Sequence, residues 1–373
     1  MALAGLAWPS SWFFLSTALF FLSLRQEARH PRMILAALHL LAVIVSLLGT
    51  DIGVLEKLPP FVVPFAIGVT VHTTSLLLLR MEITTAGLPL VGQLKAAVLV
   101  WSDIRRSNMQ RFEKRRRPQS AAAPSTQHPQ GGISFGLERI LRALALWLLD
   151  RYIYEIFITR TLGSLPLGIS SFAPANQALF PGSPWASSHF TRADLILRAV
   201  TCTHWIWSTY SGLTVAHHAC AALFVSVLVW DSPEDWASQP LFGSVWDAYT
   251  LRRFWGVFWQ RLHVVPFSAC TPPWIPKALR ALWVFLLSAA CHALANWVLY
   301  RRACALSEVR FFVSNWAVCL LETACGLDDQ KAAAKPGSTI VSWGRRLVGL
   351  GFVWTFFFCT VPAWQYPVVL ASS

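Results

Sequence analysis

Charge is scarce in this chain. Only 13% of its 373 residues are Asp, Glu, Lys or Arg, where a soluble globular protein carries nearer a quarter. That shortage excludes an ordinary water-soluble domain. Paired cysteines are also missing: the eight Cys, from Cys202 to Cys359, form no C-x-x-C pair, so neither a zinc site nor a disulfide framework is indicated. No internal repeat is visible, nor the matched pair of interrupted helices that marks many transporters. Histidine boxes of the di-iron kind are absent too. Of the ten His only His217 and His218 are adjacent, with His204 thirteen residues before His217. Neighbouring helical residues point about 100° apart, which makes a poor shared metal site.

Long apolar runs are abundant. With 55% hydrophobic residues and a mean hydropathy of +0.49, several stretches reach the ~20 residues that span a bilayer. They fall near 4–24, 33–50, 59–79, 212–230, 278–300, 309–326 and 345–366. Segments 83–101, 143–162 and 195–211 are apolar but interrupted, so the expectation is seven to nine spans. The fold class is all-α, a polytopic membrane protein forming one membrane-embedded domain over 1–373 with a buried catalytic chamber. The 19 Trp gather near span ends, as at Trp101, Trp230, Trp297 and Trp343, in keeping with an aromatic belt. No Lys or Arg precedes the first span, whereas Arg25, Arg29 and Arg32 follow it. This is the reverse of a cleavable signal peptide, and the positive-inside rule puts 25–32 in the cytosol.

Two polar regions break the hydrophobic pattern. Residues 103–132 hold seven Lys or Arg between Arg105 and Arg117, then an Ala/Pro/Ser/Gln/Gly tract. Beside membrane spans such a run reads as a mobile cytosolic loop, and as a topology signal or a contact with anionic membrane lipids rather than a nucleic-acid site. The other region, 231–277, is too aromatic for a solvated loop. Phe254, Trp255, Phe258, Trp259 and Leu262 recur at helical spacing, with Arg252, Arg253 and Arg261 beside them. That pattern predicts an amphipathic helix at the interface or packed into the membrane domain.

One histidine stands inside an apolar span. His292, in "FLLSAACHALANW", has Ser288 four residues before it and Asn296 four after it, all on one helix face. Ionisable residues within spans are costly and tend to mark function. The small residues around it, Ala289, Ala290, Cys291, Ala293 and Ala295, leave room for a neighbouring helix or a ligand.

"PLFGS" at 240–244, "LRRFWGVFWQRL" at 251–262 and the S-A-A-C-H span together resemble the wax-synthase-like branch of the membrane-bound O-acyltransferases. That branch shows Pro-Leu-Phe-Gly, then Ser-Leu-Arg-x-Phe-Trp-Gly-x-x-Trp-His-Gln, then S-G-x-x-H. Leu251, Arg252, Phe254, Trp255, Gly256 and Trp259 match, Arg253 fills the variable position, and the likeness covers roughly 230–300. Gln260 replaces the motif His, Thr250 the leading Ser and Ala289 the Gly of the span. Other branches carry Asn where Gln260 stands, and His263 lies three residues on.

The resemblance implies acyl transfer from an acyl-CoA co-substrate to an alcohol, with no bound cofactor and no metal. Imidazole titrates near neutrality and suits removal of a hydroxyl proton, so His292 is the candidate base. The Gln260 amide is the candidate oxyanion donor, and Asn296 or Ser288 can set the imidazole tautomer. Trp255 and Trp259 are candidate substrate contacts, and Arg252, Arg253 and Arg261 are candidates for the CoA phosphates. The resemblance favours acetyl transfer to a lipophilic acceptor such as a terpenoid secondary metabolite, on the endoplasmic reticulum. The competing readings are a wax synthase using fatty acyl-CoA and a fatty alcohol, and a transporter or non-catalytic membrane protein.

Overall fold

A computed structural model describes residues 2–49, 62–80, 83–102, 129–177, 190–237, 240–260, 262–276, 279–301, 304–327 and 339–372. Among these the regular structure is helical, with no strand. We number the main helices α1 Ala2–Leu24, α2 Arg29–Leu48, α3 Val62–Leu79, α4 Leu90–Ser102 and α5 Pro129–Tyr152. Then follow α6 Arg192–Ala222, α7 Val264–Ala269, α8 Arg280–Tyr300, α9 Ala305–Ala324 and α10 Thr339–Ser372. Among the described residues four segments are long and apolar enough to cross a membrane: Arg29–Leu48, Arg192–Val227, Arg280–Tyr300 and Trp343–Leu370. Ser10–Leu24, Val63–Leu79 and Leu90–Ser102 are shorter apolar helices. The expected 195–211 and 212–230 segments are one continuous helix, extended past Ala222 by a π-helical stretch, Leu223–Val227. Of the loop expected over 103–132, residues 103–128 lie outside the described residues, as does Arg261, and 129–132 are not loop but the first turn of α5.

The chain groups into two compact units, Met1–Ala123 with Leu262–Ala305, and Pro124–Arg261 with Leu306–Ser373. In the first, α1 and α2 form a helical hairpin against α3, and α7 and α8 also pack on α3. The buried positions of α2 include Arg32, Ala36, His39, Val43 and Ser46, a stripe at helical spacing. Its exposed positions include Met33, Ile34, Leu38, Leu41 and Ile44. Polar groups inward and aliphatic ones outward is the pattern lipid imposes, because hydrocarbon cannot solvate a polar side chain.

Arg32 shows what the buried polar stripe does. Read from the sequence as a topology marker, it is fully buried and donates to carbonyls at the end of α3. Its Nη1 reaches Ile83 O at 2.6 Å, its Nη2 Arg80 O at 3.0 Å and its Nε Leu77 O at 3.3 Å. The last carbonyls of a helix have no intrahelical donor and carry the negative end of its dipole. One guanidinium answers both needs. His39 is likewise structural, with Nδ1 2.8 Å from Ser16 O and Nε2 3.0 Å from Thr73 Oγ1.

In the second unit α5 and α6 run antiparallel in close contact. Ser226 Oγ donates to Gly132 O at 2.5 Å near one end, and Ser211 Oγ to Asp150 Oδ1 at 2.8 Å near the other. A Cβ at Gly136 would overlap the Ser226 side chain, so a residue with no side chain is needed where the helices meet. The outward surface of α5 carries Leu137, Ile140, Leu141, Leu144 and Leu148.

Candidate active site

His292 lies near the middle of α8, a 21-residue helix whose Ala and Leu residues lose little entropy on helix formation. Ala289 and Ala295 on this helix are buried at 1% exposure each, while Ser288, His292 and Asn296 are half-buried. Of the other small residues around His292, Cys291 and Ala293 are half-buried and Ala290 is exposed. Ala295, Val298 and Leu299 pack with Val63 and Ile67 of α3, which holds the helix in place.

A second imidazole belongs to the same unit. His263 precedes α7 and comes close enough to His292 for the two rings to interact electrostatically. It stacks on Phe267, centroids 5.3 Å apart and planes 17° from parallel, and its buried Nδ1 has no hydrogen-bond partner. Burial pushes the His263 pKa down to about 4, so the ring is neutral at physiological pH. Gly68 of α3 makes room for it, since a Cβ there would overlap the ring.

The aromatic motif belongs to the second unit. The expected regular helix is not what forms: Leu251–Arg253 is a single α turn followed by a π-helical turn, Phe254–Phe258, and Trp259 is already extended. Leu262 does not continue the face. A π turn is stable only where surrounding contacts over-determine it, and such turns concentrate at functional sites. Here the contacts are explicit. Glu322 of α9, 4% exposed, accepts from the N–H of Leu251 and of Arg252, each at 2.8 Å. Thr250 Oγ1 accepts from Arg253 N at 3.1 Å, so the replacement of Ser by Thr keeps the cap. Gly243 of PLFGS donates to Phe258 O at 2.9 Å, and a Cβ at Gly243 would overlap Val257 O. The two motif segments are thereby locked together.

Trp255 Nε1 donates to Asn315 Oδ1 at 2.8 Å, and Asn315 Nδ2 donates to Phe311 O, which sets the orientation of the amide. Trp259 stacks on Phe254 at 5.1 Å and meets Trp205 of α6 at 5.1 Å. Trp205 also touches Trp364 at 5.3 Å, whose Nε1 donates to buried Glu308 at 2.6 Å. Trp259 is thus mostly packed, and Gln260 follows it half-buried. Of the arginines proposed for phosphate, Arg253 is buried, donating to Asp247 O at 2.8 Å and lying over Tyr249. Arg252 is exposed.

Sequence reasoning missed Glu308, Asn315 and Glu322. The signal that singled out His292, a polar residue inside an apolar run, applies equally to them. Glu322→Ala leaves the buried N–H of Leu251 without its acceptor, at about 1–3 kcal/mol, and the half-buried N–H of Arg252 as well. Membrane abundance of that variant should fall sharply, and Glu322→Gln, which keeps one acceptor oxygen, should fall less. Wild-type abundance in Glu322→Ala would overturn the locking role.

Residues 238–314, which contain the π turn, Gln260 and His292, match the Membrane bound O-acyl transferase family. The match covers about a fifth of the chain, and over that segment the resemblance drawn from the motifs is borne out. With four apolar helices of spanning length, the chain is an integral membrane protein. It is similar to the acetyltransferase spyB of Aspergillus fumigatus, 28% identical over 45% of this chain and 32% of that protein. The acetyltransferase atnC of an Arthrinium species is 28% identical over 52% of this chain and 47% of its own length. The O-mevalon transferase yanI of Aspergillus niger is 30% identical over 41% and 39%. The chain therefore spans about a third to a half of the length of these curated relatives. No solved structure matches it.

Proposed function

We propose that the protein transfers an acyl group, specifically acetyl from acetyl-CoA, to a hydroxyl of a lipophilic small molecule such as a terpenoid secondary metabolite. The observation that carries the reading is that one family-matched segment holds both the locked aromatic motif and an ionisable His in an apolar helix. The hydroxyl oxygen attacks the thioester carbonyl while His292 Nε2 or Nδ1 takes its proton. The C–S bond then breaks, and the CoA thiolate recovers that proton. Gln260 is assigned as amide donor to the oxyanion, and Ser288 or Asn296 as the groups that hold the imidazole. The names of the relatives support an acetyl donor.

The same reading places the enzyme in the endoplasmic reticulum with seven to nine spans and residues 103–132 in the cytosol. Protease added to sealed microsomes should then cut within 103–132. Protection until detergent is added would overturn that topology. For the reaction, membranes carrying the protein are incubated with labelled acetyl-CoA and labelled palmitoyl-CoA in the presence of candidate alcohols. Label from acetyl-CoA alone should enter an ester. Transfer from palmitoyl-CoA to a fatty alcohol would make the protein a wax synthase instead, and transfer from neither would overturn acyl transfer.

A further inference from the structure

The second unit contains a cavity of about 590 Å³ between the start of α5, the late turns of α6 and residues 233–242. Its most unusual lining residue is Arg139. The residue is 9% exposed, no carboxylate among the described residues bonds it, and its buried Nε has no hydrogen-bond partner. It is held in place rather than mobile. One terminal nitrogen lies 3.2 Å from His218 Nδ1, and the guanidinium carbon sits 4.7 Å from the centre of the Phe135 ring. A buried cation costs free energy unless an anion or several acceptors answer it. Arg32, with its ring of carbonyls, shows how this chain answers one for purely structural ends. Arg139 lacks such a set.

We propose that this cavity binds the nucleotide end of the acyl donor, with Arg139 as a phosphate contact; the proposal rests on the acyl-CoA reading above. Arginine matches phosphate oxygens through its planar fork of donors. Arg142 lines the cavity too, paired with Glu138 at 2.5 Å on the accessible side, where an incoming phosphate can share it. Glu234 is a second carboxylate in the lining and is exposed. The walls are aromatic: His217 packs on Trp236 at 5.1 Å and Tyr210 on Phe242 at 4.9 Å. Flat rings stack purines well, and the volume falls within the range of small-ligand pockets.

Two placements strengthen the assignment. Pro240, Leu241 and Phe242 line the cavity, and the next residue, Gly243, is bonded to the π turn. The cavity also lies toward the start of α5, which follows the basic segment 105–117 in the chain and so belongs to the end that the positive-inside rule assigns to the cytosol. Acyl-CoA arrives from that side.

Two measurements on the full-length protein test the proposal. Adenosine 3′,5′-bisphosphate should stabilise the detergent-solubilised wild-type protein against heat, and Arg139→Gln should lose that stabilisation. In membranes Arg139→Gln should raise KM for acetyl-CoA about tenfold, the loss of one charge-assisted contact. It should change KM for S-acetyl-N-acetylcysteamine, which has no nucleotide, less than twofold. Arg139→Lys should recover part of the difference. If Arg139→Gln does not accumulate, Arg142→Gln, on an accessible side chain, should raise KM for acetyl-CoA alone about threefold. Equal effects on both donors, or no stabilisation of wild type, would overturn the site. Acyl transfer from acetyl-CoA without stabilisation would overturn the site and leave the enzyme reading standing. Stabilisation without transfer from any acyl-CoA would uphold the cavity and overturn that reading.

Discussion

His292→Ala should abolish acyl transfer while leaving the amount of protein in the membrane nearly unchanged. Loss of a general base costs about 10²–10⁴-fold, and no neighbouring group on α8 can replace it: Ser288 and Asn296 do not accept protons near neutral pH. The fold should tolerate the change. The packed positions of this helix are Ala289, Ala295, Val298 and Leu299, so trading imidazole for methyl removes a polar group from an apolar span and leaves the packed face intact. A purely structural histidine gives the opposite pattern, as His39→Ala should. There an imidazole joins Ser16 and Thr73 from two other helices, and its removal should lower abundance and preserve activity per folded molecule. Quantitative immunoblotting and initial rates on the same membranes separate the two. A wild-type specific activity in His292→Ala would overturn the assignment of the base.

Gln260→Ala should lower turnover about 10²-fold, the usual effect of losing one oxyanion donor. The site of the change matters for interpretation. Gln260 comes after the π turn has ended at Trp259, and the hydrogen bonds that lock the motif run through Thr250, Gly243 and Glu322. Truncating Gln260 should therefore alter turnover without unfolding the motif. Gln260→Asn and Gln260→His each retain an N–H donor and should keep more activity than Ala. The comparison of single-turnover rates across the three variants checks this ordering. Full activity in Gln260→Ala would remove the amide from the chemistry.

The departures from the family pattern take on physical meaning in the structure. Thr250 in place of Ser still caps Arg253, because the cap needs only a hydroxyl oxygen. Ala289 in place of Gly is buried against its surroundings and adds only a methyl to a face made of small residues. Arg253, at the variable position, is committed to Asp247 and Tyr249. Arg139, which no motif singles out, is buried with no carboxylate bonded to it among the described residues. It was passed over because a charge just before the interrupted apolar segment 143–162 looks like an ordinary flanking residue.

What the sequence determined alone was everything that depends on neighbours along the chain. Apolar runs of spanning length dictate helices, because lipid leaves the backbone no other way to satisfy its hydrogen bonds. Motif spacing marked 230–300 as the segment that resembles the O-acyltransferases, and helical periodicity placed Ser288, His292 and Asn296 on one face. Periodicity failed at 254–262, where it predicted a regular helix and a π turn formed. That turn is held by Glu322, about 70 residues away in the chain, and by the close approach of Gly243. Likewise Arg32 became a helix cap because folding brought the end of α3 to it, about 45 residues on. Local preferences are short-ranged and legible in sequence. A buried charge or a strained turn is decided by which distant groups can satisfy it, and only the tertiary structure supplies those partners.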